Sequence, residues 1–198
     1  NSNGAGNPPN TSGIKTDYLW KDILTKDSIT NIVQNYIQLI EEESEKILPD
    51  GKIKKEKLKK MIFPRYHQLD SVRNLLTDAK DNGAGKRYLI QHSAGSGKSN
   101  SISWLAHQLV GLFEKTNTSA VFDSVIVVTD RIVLDSQIQR NIKQFEQVAG
   151  LVEHIDKGSK HLKEALEEGK KIIITTIQKF PYIVNEIGDL PGNKFAII

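Results

Sequence analysis

Apolar residues recur along this chain at two spacings, and the change from one to the other divides it. Ile29, Ile32, Val33, Tyr36, Ile37 and Ile40 fall at helical spacing behind Asp27-Ser28, residues that favour a helix N-terminus. Pro49 follows, so the pattern predicts an amphipathic helix over 29–47. From residue 65 a second helix places Leu69, Val72, Leu76 and Ala79 on one face, and "DNGAG" ends it. Beyond it, short apolar runs alternate with helical ones. Residues 88–91 read as a strand, 98–112 as a helix and "SVIVVT" at 124–129 as a buried strand. Residues 131–149 read as a helix with Leu134, Ile138, Phe145 and Val148 inward. "LVEHI" at 151–155 reads as a strand, "SKHLKEALEEG" as a short helix and "KIIITT" at 171–176 as a strand. A helical piece containing Pro181 leads to a last strand, "KFAII". Five strands separated by helices of this length predict an α/β domain of βαβ units. Their sheet is parallel and covered by helices on both faces.

Length sharpens this picture. A chain of 198 residues suffices for one α/β domain and some additional chain. Residues 1–27, which open on Asn, Gly, Pro and Ser, read as a flexible linker, and 28–62 as a helical linker segment. The α/β domain then occupies 63–198. The chain does not begin with methionine and stops in an apolar run, so it is expected to be a piece of a longer protein.

Charge and composition exclude several classes. Hydrophobic residues at 38 % and charged residues at 26 % fit a soluble globular protein. No apolar run approaches the roughly 20 residues of a membrane span, so no membrane partner is expected. The chain has no cysteine, which removes disulfides and thiolate metal sites and fits a reducing cytoplasm. A net charge of +3 permits nucleic acid without arguing for it. "KIKKEKLKK" at 52–60 reads either as a patch for nucleic-acid phosphates or as a solvated face. Asp50-Gly51-Lys52 has the form of a nuclease D-x-K but sits in a turn, without the strand-borne carboxylate that magnesium needs.

The clearest chemistry lies in "HSAGSGKS", residues 92–99. Phosphate binding needs backbone N–H groups curled inward, a lysine for the β- and γ-phosphates and a hydroxyl for magnesium. Ser93, Ala94, Gly95, Ser96 and Gly97 supply the curl, Lys98 the charge and Ser99 the hydroxyl. The helix that begins at Lys98 adds the positive end of its dipole. The strict pattern has glycine where this chain has His92. That glycine eases the turn but touches no phosphate, so His92 alters the entrance and leaves the cradle.

With these residues the chain resembles motif I of superfamily-two helicases. Histidine ahead of "SAGSGKS" is similar to the R (restriction) subunit of type I restriction–modification enzymes. Other matches follow in order. "FPRYHQ" at 63–68 resembles the helicase Q motif, about thirty residues before the lysine. There the amide of Gln68 would meet the adenine edge. "VVTDRIVLDSQ" at 127–137 resembles motif Ia, with Thr129 and Arg131 as DNA-phosphate contacts. "ITTIQKF" at 174–180 resembles motif Ib, with Thr175, Thr176 and Gln178 in the same role.

The resemblance implies a three-layer P-loop NTPase lobe of RecA-like form over 63–198, ending before the family's Asp-Glu box. It implies ATP and Mg2+ as cofactors, with Lys98 catalytic and Ser99 on the metal. It further implies double-stranded DNA and the methyltransferase and specificity subunits as partners. The parent would be an ATP-dependent type I site-specific deoxyribonuclease and translocase of the cytoplasm. The nuclease residues would lie outside this chain, and the piece itself is expected to be inactive. Another superfamily-two helicase or remodelling ATPase, or a nucleotide-sensing P-loop module, stays open beside this reading. A P-loop kinase is disfavoured because nothing marks a phosphate acceptor.

Overall fold

The computed structural model describes residues 6–8, 10, 13–47, 53–130, 132–146, 148–183, 190 and 194–198. It divides into two units, Asn1–His67 and Gln68–Ile198.

In the first unit a π-helical turn, Leu19–Ile23, precedes α1, Lys26–Asn35. The predicted helix over 29–47 is corrected here: α1 stops at Asn35 and the chain continues as β1, Gln38–Ile47. β1 pairs antiparallel with β2, Ile53–Ile62, so the segment 28–62 is a helix followed by a hairpin rather than helical throughout. Charge explains the switch. A helix through "EEESE" would stack Glu41 on Glu45 one turn apart, where like charges repel. The hairpin register instead sets Glu41 opposite Lys59, Glu43 opposite Lys57 and Glu45 opposite Lys55. An opposite-charge pair across antiparallel strands, such as Glu41 with Lys59, contributes roughly 0.2–1 kcal/mol.

The lysine run is therefore a strand. Its lysines from Lys54 to Lys60 are exposed, and Lys57 and Lys59 each lie 3.9 Å from a Glu41 carboxylate oxygen. β2 carries five lysines and one glutamate, and β1 four glutamates and one lysine, so the hairpin is nearly neutral. Asp50-Gly51-Lys52 lies outside the described residues.

The second unit follows the sequence pattern more closely. α2, Tyr66–Asn82, buries Leu69, Val72 and Ala79 as predicted, together with Gln68, while Leu76 is only half-buried. Gly83 closes it through its N–H to the Ala79 carbonyl, 2.9 Å. α3 spans Lys98–Val110, β3 Ser124–Thr129, α4 Ile132–Gln144 and β4 Val152–His154. α5, Ser159–Glu167, leads to β5, Ile172–Thr176, and a 3-10 turn, Ile177–Tyr182, takes up Pro181. β6, Phe195–Ile197, completes a four-stranded, all-parallel sheet in the order β4-β5-β3-β6.

Two continuous apolar runs form the middle of this sheet, as burial on both faces requires. Ile126 and Ile173 pack with Leu162, Ala165 and Leu166 of α5. The alternate residues Val125, Val127, Ile172 and Ile174 are equally buried on the opposite face. α3 and α4 contact β3 and β5, and Trp104 meets Phe145 edge-on at 5.7 Å. The edge strand β4 is fastened to α5 by His161, whose Nε2 lies 3.0 Å from a Glu153 carboxylate oxygen.

Two further expectations are corrected. Val148 is exposed, because α4 ends at Gln144, and Ile142 fills the inward position instead. The fifth strand, at 88–91, is absent: the segment carries no ladder, and Leu89 is 92 % exposed. A strand needs a partner as well as a pattern. Tyr88 instead donates its hydroxyl to Asp78 on α2 at 2.5 Å, a bond that pushes the phenol up to about 12. This segment and β6 both line a cavity of about 640 Å³.

His107 of α3 binds the Ile142 carbonyl of α4 through Nε2 at 2.8 Å. The carbonyl only accepts, so Nε2 carries the hydrogen. Burial, partly offset by this bond, lowers the pKa of His107 below its ordinary 6.5. The unfolded chain therefore takes up the proton first, and the stability that depends on burying the neutral ring, full above 6.5, is lost as pH falls below it. The melting temperature should fall between pH 7 and pH 5, and more steeply in the native chain than in His107→Gln. Parallel curves for the two would show that another group carries the dependence.

Candidate functional site

The stretch from Gln68 to Ser99 builds the candidate site from one helix, one loop and the start of a second helix. α2 presents Gln68, almost wholly buried, toward the loop. Its Nε2 donates to the Gly97 carbonyl at 2.8 Å. Ser71, one turn further along, brings Oγ to 3.3 Å from Nε2 of His92. The loop between these points turns at Ser93, whose carbonyl accepts the Ser96 N–H at 3.3 Å.

Gly97 has φ +83, a left-handed conformation that L side chains resist. It is also crowded: a Cβ there would lie 2.5 Å from the Gln68 amide nitrogen. Its carbonyl further accepts the N–H groups of Asn100 and Ser101, at 3.1 and 3.4 Å, which starts α3. No side chain caps this N-terminus. The first backbone N–H groups of a helix lack intrahelical partners and carry the positive end of its dipole, so an anion is their natural complement.

Gly95 has φ +72, and nothing lies within 4 Å of a Cβ built on it, so the curl is open where a ligand would approach. Ser93, Ala94 and Gly95 are exposed, and Ser96 and Ser99 half-buried. Lys98 is exposed and folds back over the loop entrance. Its ammonium donates to the Ser93 carbonyl at 2.8 Å and the His92 carbonyl at 3.2 Å. The open curl, the uncapped helix and the exposed cation fit a nucleotide triphosphate. Ser99 lies in the first turn of α3. Among the described residues no group of three or more His, Cys, Asp and Glu gathers as a metal site.

The second set of candidates lies at the C-terminal ends of β3 and β5. Register sets Thr129 beside Thr176 and Val128 beside Thr175. All three threonines are buried, Thr175 completely. Gln178 is exposed, and its Nε2 donates to the Asp130 carbonyl at 2.8 Å, tying the two strand-end turns together. Arg131 lies outside the described residues. Sequence reasoning missed Ser71. The available signal was its spacing, three residues after Gln68 and hence on the same helix face.

A glycine-rich loop opens α3 beside a buried glutamine of α2, in a unit that carries a parallel sheet. Residues 67–194 match the family model described as SWI2/SNF2 ATPase, and the chain belongs to that family. No curated protein and no solved structure matches it. Among the described residues no helix is long and apolar enough to cross a membrane.

The contact at Gly97 can be measured. Gly97→Ala should destabilise the chain more than Gly95→Ala in urea denaturation. The left-handed backbone costs both about 1–2 kcal/mol, and only Gly97→Ala also displaces the Gln68 amide. Equal losses would mean that the Gln68–Gly97 contact does not persist in solution.

Proposed function

We propose that this chain is the ATP-binding motor lobe of the R subunit of a type I restriction–modification enzyme, a RecA-like P-loop lobe acting on double-stranded DNA in the cytoplasm. The observation that carries the nucleotide assignment is the loop 92–99: an open curl, an uncapped helix start and Lys98 at its mouth. In this reading the backbone N–H groups of the loop hold the phosphates. Lys98 swings onto the β- and γ-oxygens, and Ser99 takes one coordination position on Mg2+. Electrostatic stabilisation of this kind supplies most of the catalysis in phosphoryl transfer.

Gln68 takes two roles in this reading. Its amide meets the adenine edge and also holds Gly97, so base recognition is linked to loop shape. At the sheet edge Gln178 is suited to a DNA backbone, and Arg131 takes the same role by its place in the motif Ia sequence. Thr129, Thr175 and Thr176 would instead set the turns that carry them, since they are buried. The narrower restriction-enzyme assignment rests on His92 ahead of "SAGSGKS", on "RYHQ" upstream and on the ordered strand-end motifs. Methyltransferase and specificity subunits would complete that complex. The family description favours a second reading, a remodelling-type ATPase without a nuclease.

In the intact protein, Lys98→Ala should abolish DNA-stimulated ATP hydrolysis, and turnover near the native rate would sink the motor assignment. ATP-driven cleavage of DNA carrying the recognition site separates the restriction reading from the remodelling one. Gln68→Ala should weaken both inorganic triphosphate and ATP, because the loop loses its anchor, with the larger loss for ATP. Equal loss would leave Gln68 a structural role only.

A further inference from the structure

We propose that Ser71 and His92 form a positioning pair that holds the entrance of the phosphate loop, so that α2 grips the loop at both ends. The inference rests on the nucleotide reading of residues 92–99 and deepens it. Gln68 and Ser71 are three residues apart on α2 and share one face of that helix. Gln68 reaches the far end of the loop, at the Gly97 carbonyl, 2.8 Å. Ser71 reaches the near end, at the His92 ring, 3.3 Å. One helical turn thus spans the whole curl.

His92 then has two duties. Its ring fixes it to α2, and its carbonyl is one of the two on which the Lys98 ammonium rests. The position that glycine fills in the strict loop pattern is held here by a side-chain bond. Glycine leaves an entrance free to explore many conformations, each of which must be given up when phosphate binds. The Ser71–His92 contact removes that freedom beforehand, and a loop already ordered loses less on binding. A serine hydroxyl both donates and accepts, so the contact forms with either neutral tautomer of the ring.

The test is a double-mutant cycle in the intact protein, read with a fluorescent ATP analogue and with DNA-stimulated hydrolysis. Ser71→Ala and His92→Gly should each raise the dissociation constant about three- to ten-fold, the range of one hydrogen bond. His92→Gly weakens binding even though it restores the glycine of the strict pattern. The double variant should be no weaker than the weaker single, as expected of two residues acting through one contact. KM should rise while kcat at saturating ATP changes little. Ser71→Thr, which keeps the hydroxyl, should recover most of the affinity, and a purely structural effect on α2 would show no such recovery.

Native affinity in both single variants, losses that multiply in the double, or no recovery in Ser71→Thr would each overturn the pair. Lys98→Ala separates failure of the pair from failure of the nucleotide reading. If it loses the nucleotide while Ser71→Ala and His92→Gly bind normally, the positioning pair alone fails. If it binds normally, the nucleotide reading fails and the pair falls with it.

Discussion

The Gly97 carbonyl oxygen joins three pieces of backbone that are distant in sequence or direction. It accepts the backbone amides of Asn100 and Ser101 in α3 and the side-chain amide of Gln68 on α2. Glycine suits this position, because the backbone is left-handed and a Cβ would displace the Gln68 amide nitrogen. The start of α3, the curl before it and the distance of α2 from the loop are set together at this point. The direction of the α3 N-terminus, and so of its dipole, follows from it.

How much of this is legible in the sequence depends on the range of the interaction. α2, α3, α5, β3 and β5 are readable because their periodicity is local and their buried faces are continuous. The hairpin is not. Ile37 and Ile40 continue a helical stripe that begins at Ile29, and only the pairing of Glu41, Glu43 and Glu45 with a lysine run further on reverses it. Register between distant segments leaves no trace in a local window. The segment at 88–91 fails in the opposite way: its pattern is that of a strand, but it has no ladder.

The candidate site is legible in its identities and less so in its contacts. The spacing of Gly95, Gly97, Lys98 and Ser99 is enough to point to a phosphate loop. Spacing does not show that Lys98 rests on two carbonyls, that Gln68 spends its amide on the loop, or that three strand-end threonines are buried. Threonine is well suited to strands because its branched side chain packs there, and its presence at a strand end does not say which way its hydroxyl faces. His92 shows the converse. It departs from the expected residue, and the departure becomes intelligible only beside Ser71, twenty-one positions earlier.

The near-neutral hairpin has a consequence for self-association. Two strands alone leave both outer edges with unpaired backbone groups, the arrangement that recruits further strands and leads to aggregation. On the β2 edge an arriving second copy of β2 would bring Lys55, Lys57 and Lys59 against lysines of its own kind. Within the hairpin the register pairs each of those positions with a glutamate position. The same charges thus favour the intramolecular pair and repel the intermolecular one. The run of lysines that suggests a polyanion partner also disfavours pairing of β2 with a second copy of itself.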